Sequence, residues 1–381
     1  MTRTLSHSEV QTASTCEAKH AFSYTGHLTD GDTLKPKTTA PQLRDGRAWG
    51  RGVAAYHENC LRVDGDVLGH AEIERSLRED AQEQREAGVY DGEAHHDAQV
   101  LLHGLLDHHI ATTEPLPITR PEHELNVSIP SRNGGRASTV YRFQAFLDGL
   151  HEDADGCLWV VEYKLRGRLT PLQQLYRDRQ IRRYAWAAGQ ALDIDPVGVI
   201  TDERLKEAPK PPRVLKSGKP SHAKDQLCTA EDYAQMCRDL GEEPDTVTFD
   251  ALNARQWQQR ELIRFHPGEL EEVGRELVSA AQLIRDLDSG KRVPIRNASN
   301  QNCNGCQFRE ICAQPSDFLI DMSFSRTVPK RLRPELASCP ADTGNGATDG
   351  QGGQTQSLAV AAASPEPSTS SDNREWGEVP F

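Results

Sequence analysis

Long apolar runs are missing from this 381-residue chain, and with them any membrane-spanning helix, which needs about 20 consecutive apolar residues. The opening stretch, MTRTLSHSEVQTASTCEAKH, also lacks the apolar core of a secretory signal, so the expected compartment is the cytoplasm and no membrane partner is expected. Aromatics are scarce at 6%, and hydrophobic residues make up 36% of the chain. That is lean, but enough for a water-soluble α/β domain with a polar extension. An excess of positive charge is lacking too: the formal net charge of -13 counts against nucleic acid until its distribution is considered. From Tyr163 to Ala187, seven basic residues (Lys164, Arg166, Arg168, Arg177, Arg179, Arg182, Arg183) accompany a single acid, Asp178. The stripe reads as a DNA-contacting surface or as a solvated helix face.

Nine cysteines in a reducing compartment are free thiols or metal ligands rather than disulfides. Cys303-x-x-Cys306, followed by five residues and Cys312, supplies three thiolates in one compact loop, and a tetrahedral site needs a fourth from elsewhere. Cys157, Cys228, Cys237 and Cys339 show no ligand spacing.

The pattern of apolar residues predicts a helix over residues 6–22 with Ser6 or Ser8 as N-cap, a loop over 30–46, and a helix from about Ala48 that carries His57. A helical pattern runs from about Gly69 to His109. Three strands follow at 123–129, 139–147 and 158–165, rich in Val, Ile, Tyr, Phe and Trp. A helix is expected over 172–192, a buried strand over 197–201, a long loop or insertion over 206–224, a helix over 230–240, a strand over 246–249 and a helix over 268–287. Residues 1–320 are expected to fold. Residues 327–381, rich in Gly, Gln, Ser, Ala and Pro, read as a disordered tail.

The hairpin YRFQAFLDGLHEDADGCLWVVEYKL carries the chemistry. Residues 158, 160, 162 and 164 share one strand face, so Glu162 and Lys164 point the same way. The midpoint between Asp148 and Glu162 falls at residue 155, inside the turn signal HEDADG, so a simple hairpin sets the two carboxylates opposite each other, with Cβ atoms roughly 4.5–5.5 Å apart. Facing acids repel, so one takes a proton or the pair holds a cation. Oxygen ligands in that arrangement suit Mg²⁺ or Mn²⁺. Lys164 can orient a water or neutralise a phosphate, and Glu124 on the preceding strand could complete the shell. An exposed hairpin with an ordinary Glu–Lys pair is the alternative.

The order Asp148, then Glu162-Tyr163-Lys164 on an apolar strand, then Gln180-x-x-x-Tyr184 on the next helix resembles the PD-(D/E)XK nuclease superfamily, and within it the RecB-like branch. The resemblance covers roughly residues 1–315. It implies an α/β restriction-endonuclease-like core with a mixed central sheet flanked by helices. It further implies Asp148 and Glu162 as metal ligands, Lys164 as catalytic lysine, Gln180 as the residue that steadies the lysine or water, and Tyr184 as a DNA contact. His57, in GRGVAAYHE, is similar to the branch's upstream histidine, a metal ligand or active-site neighbour. DNA contacts are expected from Arg166, Arg168, Arg177, Arg182 and Arg183. Leu147 precedes the first acid, as is usual in the branch, but Ala145 stands where a glycine is common; no ligand is lost.

The start of the chain, S-x-S with Cys16 eight residues on, resembles the iron–sulfur members of this branch, which include CRISPR-associated exonucleases and the AddB subunit of a helicase–nuclease. The resemblance implies a [4Fe–4S] cluster on Cys16, Cys303, Cys306 and Cys312 that clasps the N- and C-terminal segments. Zinc on the same thiolates, Cys60 in place of Cys16, and no cluster at all are the alternatives. The terminal NREWGEVPF is similar to the acidic tip of bacterial single-stranded-DNA-binding protein, which implies docking of replication or recombination proteins through Glu375, Glu378, Pro380 and Phe381. The expected function is a metal-dependent DNA exonuclease in phage or bacterial replication, recombination or repair. A catalytically silent DNA-binding or assembly subunit that keeps the fold is the alternative, and a zinc-stapled adaptor acting through its tail is a third.

Overall fold

The computed structural model describes residues 2–60, 64–131, 137–192 and 198–329. The chain begins with β1 (Arg3–Ser6), α1 (His7–Thr15), α2 (Glu17–His20) and a π-helical turn over Ala21–Thr25, then β2 (Thr33–Pro36). Three helices follow: α3 (Pro41–Asn59), α4 (Gly65–Glu86) and α5 (Gly92–Thr112). The middle holds β3 (Arg120–Pro130), β4 (Ala137–Glu152), β5 (Leu158–Arg166), α6 (Leu172–Leu175), α7 (Arg179–Leu192) and β6 (Gly198–Leu205). The chain continues through α8 (Ala230–Asp239), α9 (Thr246–Asn253), β7 (Gln258–Arg264) and α10 (Pro267–Asp288). It closes with α11 (Asn300–Cys303), α12 (Arg309–Ala313), α13 (Asp317–Ser323) and β8 (Phe324–Thr327). The expected tail, its tip residues Glu375, Glu378, Pro380 and Phe381, and Cys339 lie outside the described residues. No helix among the described residues is long and apolar enough to cross a membrane.

Six strands form one mixed sheet in the order β1-β4-β5-β6-β7, with β3 on the other edge of β4. β5 and β6 are parallel, joined by the α6–α7 crossover, while β3, β5 and β7 run antiparallel to their neighbours β4, β4 and β6. β4 has an unusual arrangement of partners. It pairs with β1 in parallel through residues 141–144 and with β5 antiparallel through 149–152, while β3 occupies its other edge through both stretches. β1 and β5 therefore share one edge of β4 and leave a gap between them at residues 145–148.

Helices cover both faces. On one face, α1, α7 and α10 bury Val10, Ile181, Ala185, Leu277 and Ile284 against Leu125, Val127, Phe143 and Val160. On the other, α3, α4 and α5 bury Trp49, Val53, Ile73, Leu102 and Leu105 against Trp159, Val161 and Tyr163. Strand alternation sorts β5 between these cores: Val160 goes to the first, its odd-numbered neighbours to the second.

Apart from the shared sheet, the two ends of the chain meet in a third cluster. Phe22 stacks on Phe308, which stacks on Phe324, and β2 pairs antiparallel with β8. Glu17 accepts from Arg292 and from the Ile295 amide, and Asn297 donates to the Thr15 carbonyl. N- and C-terminal segments are thus joined by protein contacts in their own right.

Several elements depart from expectation for identifiable reasons. Ser6 does cap α1, its hydroxyl accepting from the Glu9 amide at 3.3 Å, but the helix stops at Thr15, with Cys16 in extended conformation. The long helical pattern after Gly69 is two helices, separated at Gly88, whose φ of 70° ends the first, and at Asp91, which caps the second. The expected helix over 172–192 breaks at Tyr176–Asp178 because Asp178 accepts from the Gln180 and Ile181 amides and starts α7 anew. Residues 246–249 are helical, not a strand: Asp245 accepts from the Thr248 amide at 2.8 Å, and that cap overrides the β propensity of Thr-Val-Thr-Phe. β7 escapes a sequence reading because QQRELIR is a polar edge strand whose one buried residue is Ile263. The segment 206–224 is built rather than loose: the Gln226 side chain accepts from the Arg213 amide and donates to the carbonyls of Ser221 and Ala223.

Gly198 lies between two ladders, opposite Trp159 on β5 and Arg264 on β7. A β-carbon there would sit 2.0 Å from the Ile263 carbonyl oxygen, well inside contact distance. Gly198→Ala is expected to lower stability by about 1–3 kcal/mol, as overpacking does, seen as a lower urea midpoint at unchanged slope.

Candidate active site

The gap in the β4 edge is where the acids gather. The β4–β5 ladder ends at Gly149 and Val161, and its register continues to Asp148 and Glu162. There the strands part, and the Tyr163 amide donates to the Asp148 carboxylate at 2.8 Å in place of a ladder bond. Asp148 is half-buried and Glu162 is buried. One oxygen of Glu162 accepts from Lys164 Nζ and, at 2.8 Å, from the Gln180 amide of α7. The Gln180 oxygen in turn accepts from Lys164 Nζ at 3.0 Å. Gln180 therefore holds acid and lysine in one fixed arrangement.

Burial, then the Glu162 charge, raise the Asp148 carboxyl from its ordinary 3.8 to about 8. Glu162 is raised as well, by burial first, with Lys164 pulling the other way. For Lys164, burial would depress the ammonium, but Glu162 and Asp148 outweigh it and leave it above its ordinary value. The lysine is a cation at neutral pH, and two acids compete for it.

The second Glu162 oxygen is buried and, among the described residues, has no hydrogen-bond partner. A buried carboxylate oxygen left in this way is costly unless something fills the position. The residues present fit a hard divalent cation: two carboxylates, one with a free buried oxygen, and carboxyls that tend to hold a proton when no cation is there.

Other expected site residues are placed differently. Glu124 is exposed and accepts from Gln144, whereas Glu122, two residues earlier on β3, is the acid whose charge reaches Asp148. Tyr184 lies one turn beyond Gln180, mostly buried, its ring edge-on to His7. Burial, then Glu162, raise its phenol above the ordinary range. Of the arginine stripe, Arg168, Arg177 and Arg179 are exposed. Arg166 pairs with Glu203, Arg182 with Glu272, and Arg183 is buried.

His57 stands on the opposite face of β5. Its ring stacks on Tyr163, centroids 5.5 Å apart, and Tyr163 alternates with Glu162 and Lys164 along the strand. His57, His109 and Asp202, all buried, bring ligand atoms within 4.8 Å of one another. The hydrogen bonds argue against a cation among them. His57 Nδ1 accepts from the Leu116 amide at 3.1 Å, and burial, then His109, push its pKa down to about 2, so the neutral ring carries its proton on Nε2. That proton points at His109 Nε2, 3.1 Å away. His109 Nδ1 then donates to Thr113, whose hydroxyl donates to Gln258 at 2.6 Å. Asp202 is occupied by Arg260. The two histidines form a hydrogen-bond relay behind Tyr163 with Asp202 held by Arg260 beside it, and of the three only His57 has a sequence signal that distinguishes it from an ordinary core or surface residue.

The cysteines of the expected cluster share a cavity, but among the described residues no three of their thiols lie within 4.8 Å of one another. Cys16, Cys303, Cys306 and Cys312 all line one cavity of about 430 Å³, together with Phe22, Phe308 and Arg309. Cys60 packs instead against the helical core of α3–α5, and Cys228 and Cys237 are buried in a small cluster of their own with Tyr233.

The profile of the PD-(D/E)XK nuclease superfamily matches residues 4–313, which takes in the acids, Lys164, Gln180 and all four cavity cysteines. The chain belongs to the PD-(D/E)XK nuclease superfamily. Compared with curated proteins, it matches none. Nucleases of this superfamily use divalent metals to act on nucleic-acid phosphodiester bonds, and the mixed sheet with flanking helices is consistent with that fold.

The raised Asp148 carboxyl sets a sign for metal binding. The folded protein keeps a proton that the unfolded chain releases near 3.8, so from about there up to about 8 rising pH works against the metal-free fold. A divalent cation has to displace that proton. Calorimetry of Mg²⁺ or Mn²⁺ binding in buffers of different ionisation enthalpy should show proton release at pH 7 that fades above about pH 8.

Proposed function

We propose that this protein is a metal-dependent DNA exonuclease with Asp148 and Glu162 as metal ligands and Lys164 as the catalytic lysine. The observation that carries the reading is the unpartnered, buried oxygen of Glu162 beside Asp148, in a niche where Gln180 fixes both Glu162 and Lys164. A bound Mg²⁺ or Mn²⁺ would supply an acidified water and charge neutralisation at the scissile phosphate. The chain's residues do the rest. Lys164, kept protonated by its acid neighbours, offers its ammonium to a phosphate oxygen as charge builds in the transition state. Lys164 donates to both Glu162 and Gln180, which fixes where its ammonium sits. The Tyr163 amide orients Asp148, and His57 supports the Tyr163 ring from behind. Exposed Arg168, Arg177 and Arg179 give the backbone of DNA a cationic approach despite the chain's net charge of -13. Exonuclease action on DNA, in phage or bacterial replication, recombination or repair, rests on the resemblance to the RecB-like branch.

Cleavage of end-labelled single- and double-stranded DNA with Mg²⁺ or Mn²⁺ tests this directly. Asp148→Ala and Lys164→Ala should each lose about 100-fold or more of the rate while remaining folded, and the product ladder gives polarity. A wild-type protein that binds DNA without cutting it would leave the silent-subunit reading.

We further propose a [4Fe–4S] cluster on Cys16, Cys303, Cys306 and Cys312. A single zinc ion with bonds of about 2.3 Å would draw its sulfurs to within roughly 4 Å of one another. Among the described residues no three of these thiols lie within 4.8 Å, and all four line one cavity. Anaerobically purified protein should carry about four iron atoms and as many labile sulfides per chain with visible absorbance. Cys303→Ser should lose iron and colour and melt at lower temperature. Stoichiometric zinc in a colourless protein would reverse the assignment.

A further inference from the structure

Arg183 is 3% exposed, yet among the described residues no carboxylate lies within 4.0 Å of its guanidinium, and its Nε has no hydrogen-bond partner. Burial, then Arg179, lower its pKa to about 10, which still leaves it charged. A buried charge without a close counter-ion is costly; buried Arg44 has Asp45 at 2.7 Å, whereas Arg204, like Arg183, has no carboxylate within 4.0 Å among the described residues. Arg183 points at the start of α1, its Nη1 3.3 Å from Nδ1 of His7, the first residue of that helix. The nine-residue α1 adds the positive end of its dipole at the same spot. Burial, then Arg183, hold the His7 ring down at about 4, with Lys164 and Arg179 adding to the effect and Asp178 alone opposing it. Arg183, Arg179 and Lys164 bring positive charge to the locus, and Glu276 and Asp178 offset part of it without pairing with Arg183.

It is also next to the candidate active site. β1 ends at Ser6, paired with Gln144, four residues before Asp148 on the same β4 edge. The His7 ring meets Tyr184 edge-on at 6.2 Å, one turn along α7 from the Gln180 that holds Lys164.

We propose that Arg183, His7 and the first-turn amides of α1 that Ser6 leaves uncapped form a phosphate-binding pocket that seats a substrate phosphate other than the scissile one. The ligand supplies the counter-charge that the fold withholds from Arg183, and binding registers the strand so that the neighbouring phosphodiester meets Lys164. The same chemistry accepts a terminal phosphomonoester or an internal phosphodiester. This rests on the nuclease reading for its substrate, but its test does not depend on cleavage.

Arg183→Met removes the charge while keeping an apolar side chain, and His7→Gln alters the half-buried rim. The probes are inorganic phosphate and, with EDTA present, oligonucleotides bearing a 5′-phosphate, a 3′-phosphate or free hydroxyls, and a closed circle. The expected result is that Arg183→Met melts at the same or a higher temperature than wild type, since a buried unpaired charge has gone. Both variants should bind DNA about 10-fold or more weakly, consistent with the loss of a charge-assisted bond. Phosphate should raise the melting temperature of wild type but not of Arg183→Met. Loss confined to one phosphorylated end identifies a terminal monoester, and equal loss on the circle identifies an internal diester. If Arg183→Met melts lower and binds every probe as wild type does, Arg183 is structural and the proposal is overturned. Failure of wild-type cleavage with these binding differences intact would remove the nuclease reading and leave the pocket standing.

Discussion

Two carboxylates are held out of water at the point where β4 changes partner from β5 to β1, and much of the surrounding structure serves to keep them there. A regular hairpin would continue the ladder and turn Asp148 into one more strand residue. Because β5 parts from β4 after Val161, the Tyr163 amide is free to grip Asp148, and α7 can bring Gln180 over Glu162 and Lys164. Repulsion between the acids, sharpened by burial, is balanced in part by one lysine. The remaining imbalance is the chemical reason a divalent cation fits.

The sheet separates two kinds of polar group that the sequence mixes. On the face of α1, α7 and α10 lie Glu162, Lys164 and Gln180. On the face of α3, α4 and α5 lie His57, His109 and Asp202, whose bonds are satisfied among themselves and with Leu116, Thr113 and Arg260. Neutral histidines in a closed relay make a stiff backing for Tyr163, the residue that links the two faces through its amide and its ring. The relay itself runs unbroken from the Leu116 amide to Gln258, while among the described residues the Tyr163 hydroxyl and two nitrogens of neighbouring Arg204 have no partner.

The clasp between chain ends has a similar logic. Stacked phenylalanines, the β2–β8 pair and the Glu17–Arg292 bridge already join segments nearly three hundred residues apart, and the four-cysteine cavity lies among them. Closing so long a loop restricts the unfolded chain, which these protein contacts do by themselves. β1 and α1, held by that junction, are the elements that flank the gap in β4.

Local features were legible in the sequence because local forces decide them. The alternation in LWVVEYKL put Glu162 and Lys164 on one face, the HEDADG turn set Asp148 opposite Glu162, and Ser6 announced a cap. Where two local signals conflicted, as at residues 246–249, the cap of Asp245 prevailed over β propensity, and a polar edge strand such as β7 carried too little apolar pattern to be seen. What tertiary structure alone decided is which distant groups meet. The β1–β4 pairing links residues 3–6 to 141–144, His57 falls behind the sheet rather than in the site, Glu122 rather than Glu124 reaches Asp148, and Arg183 is buried against His7 without an acid. Side-chain period fixes a residue's face only within its own strand or helix; which element covers that face depends on packing across the whole chain.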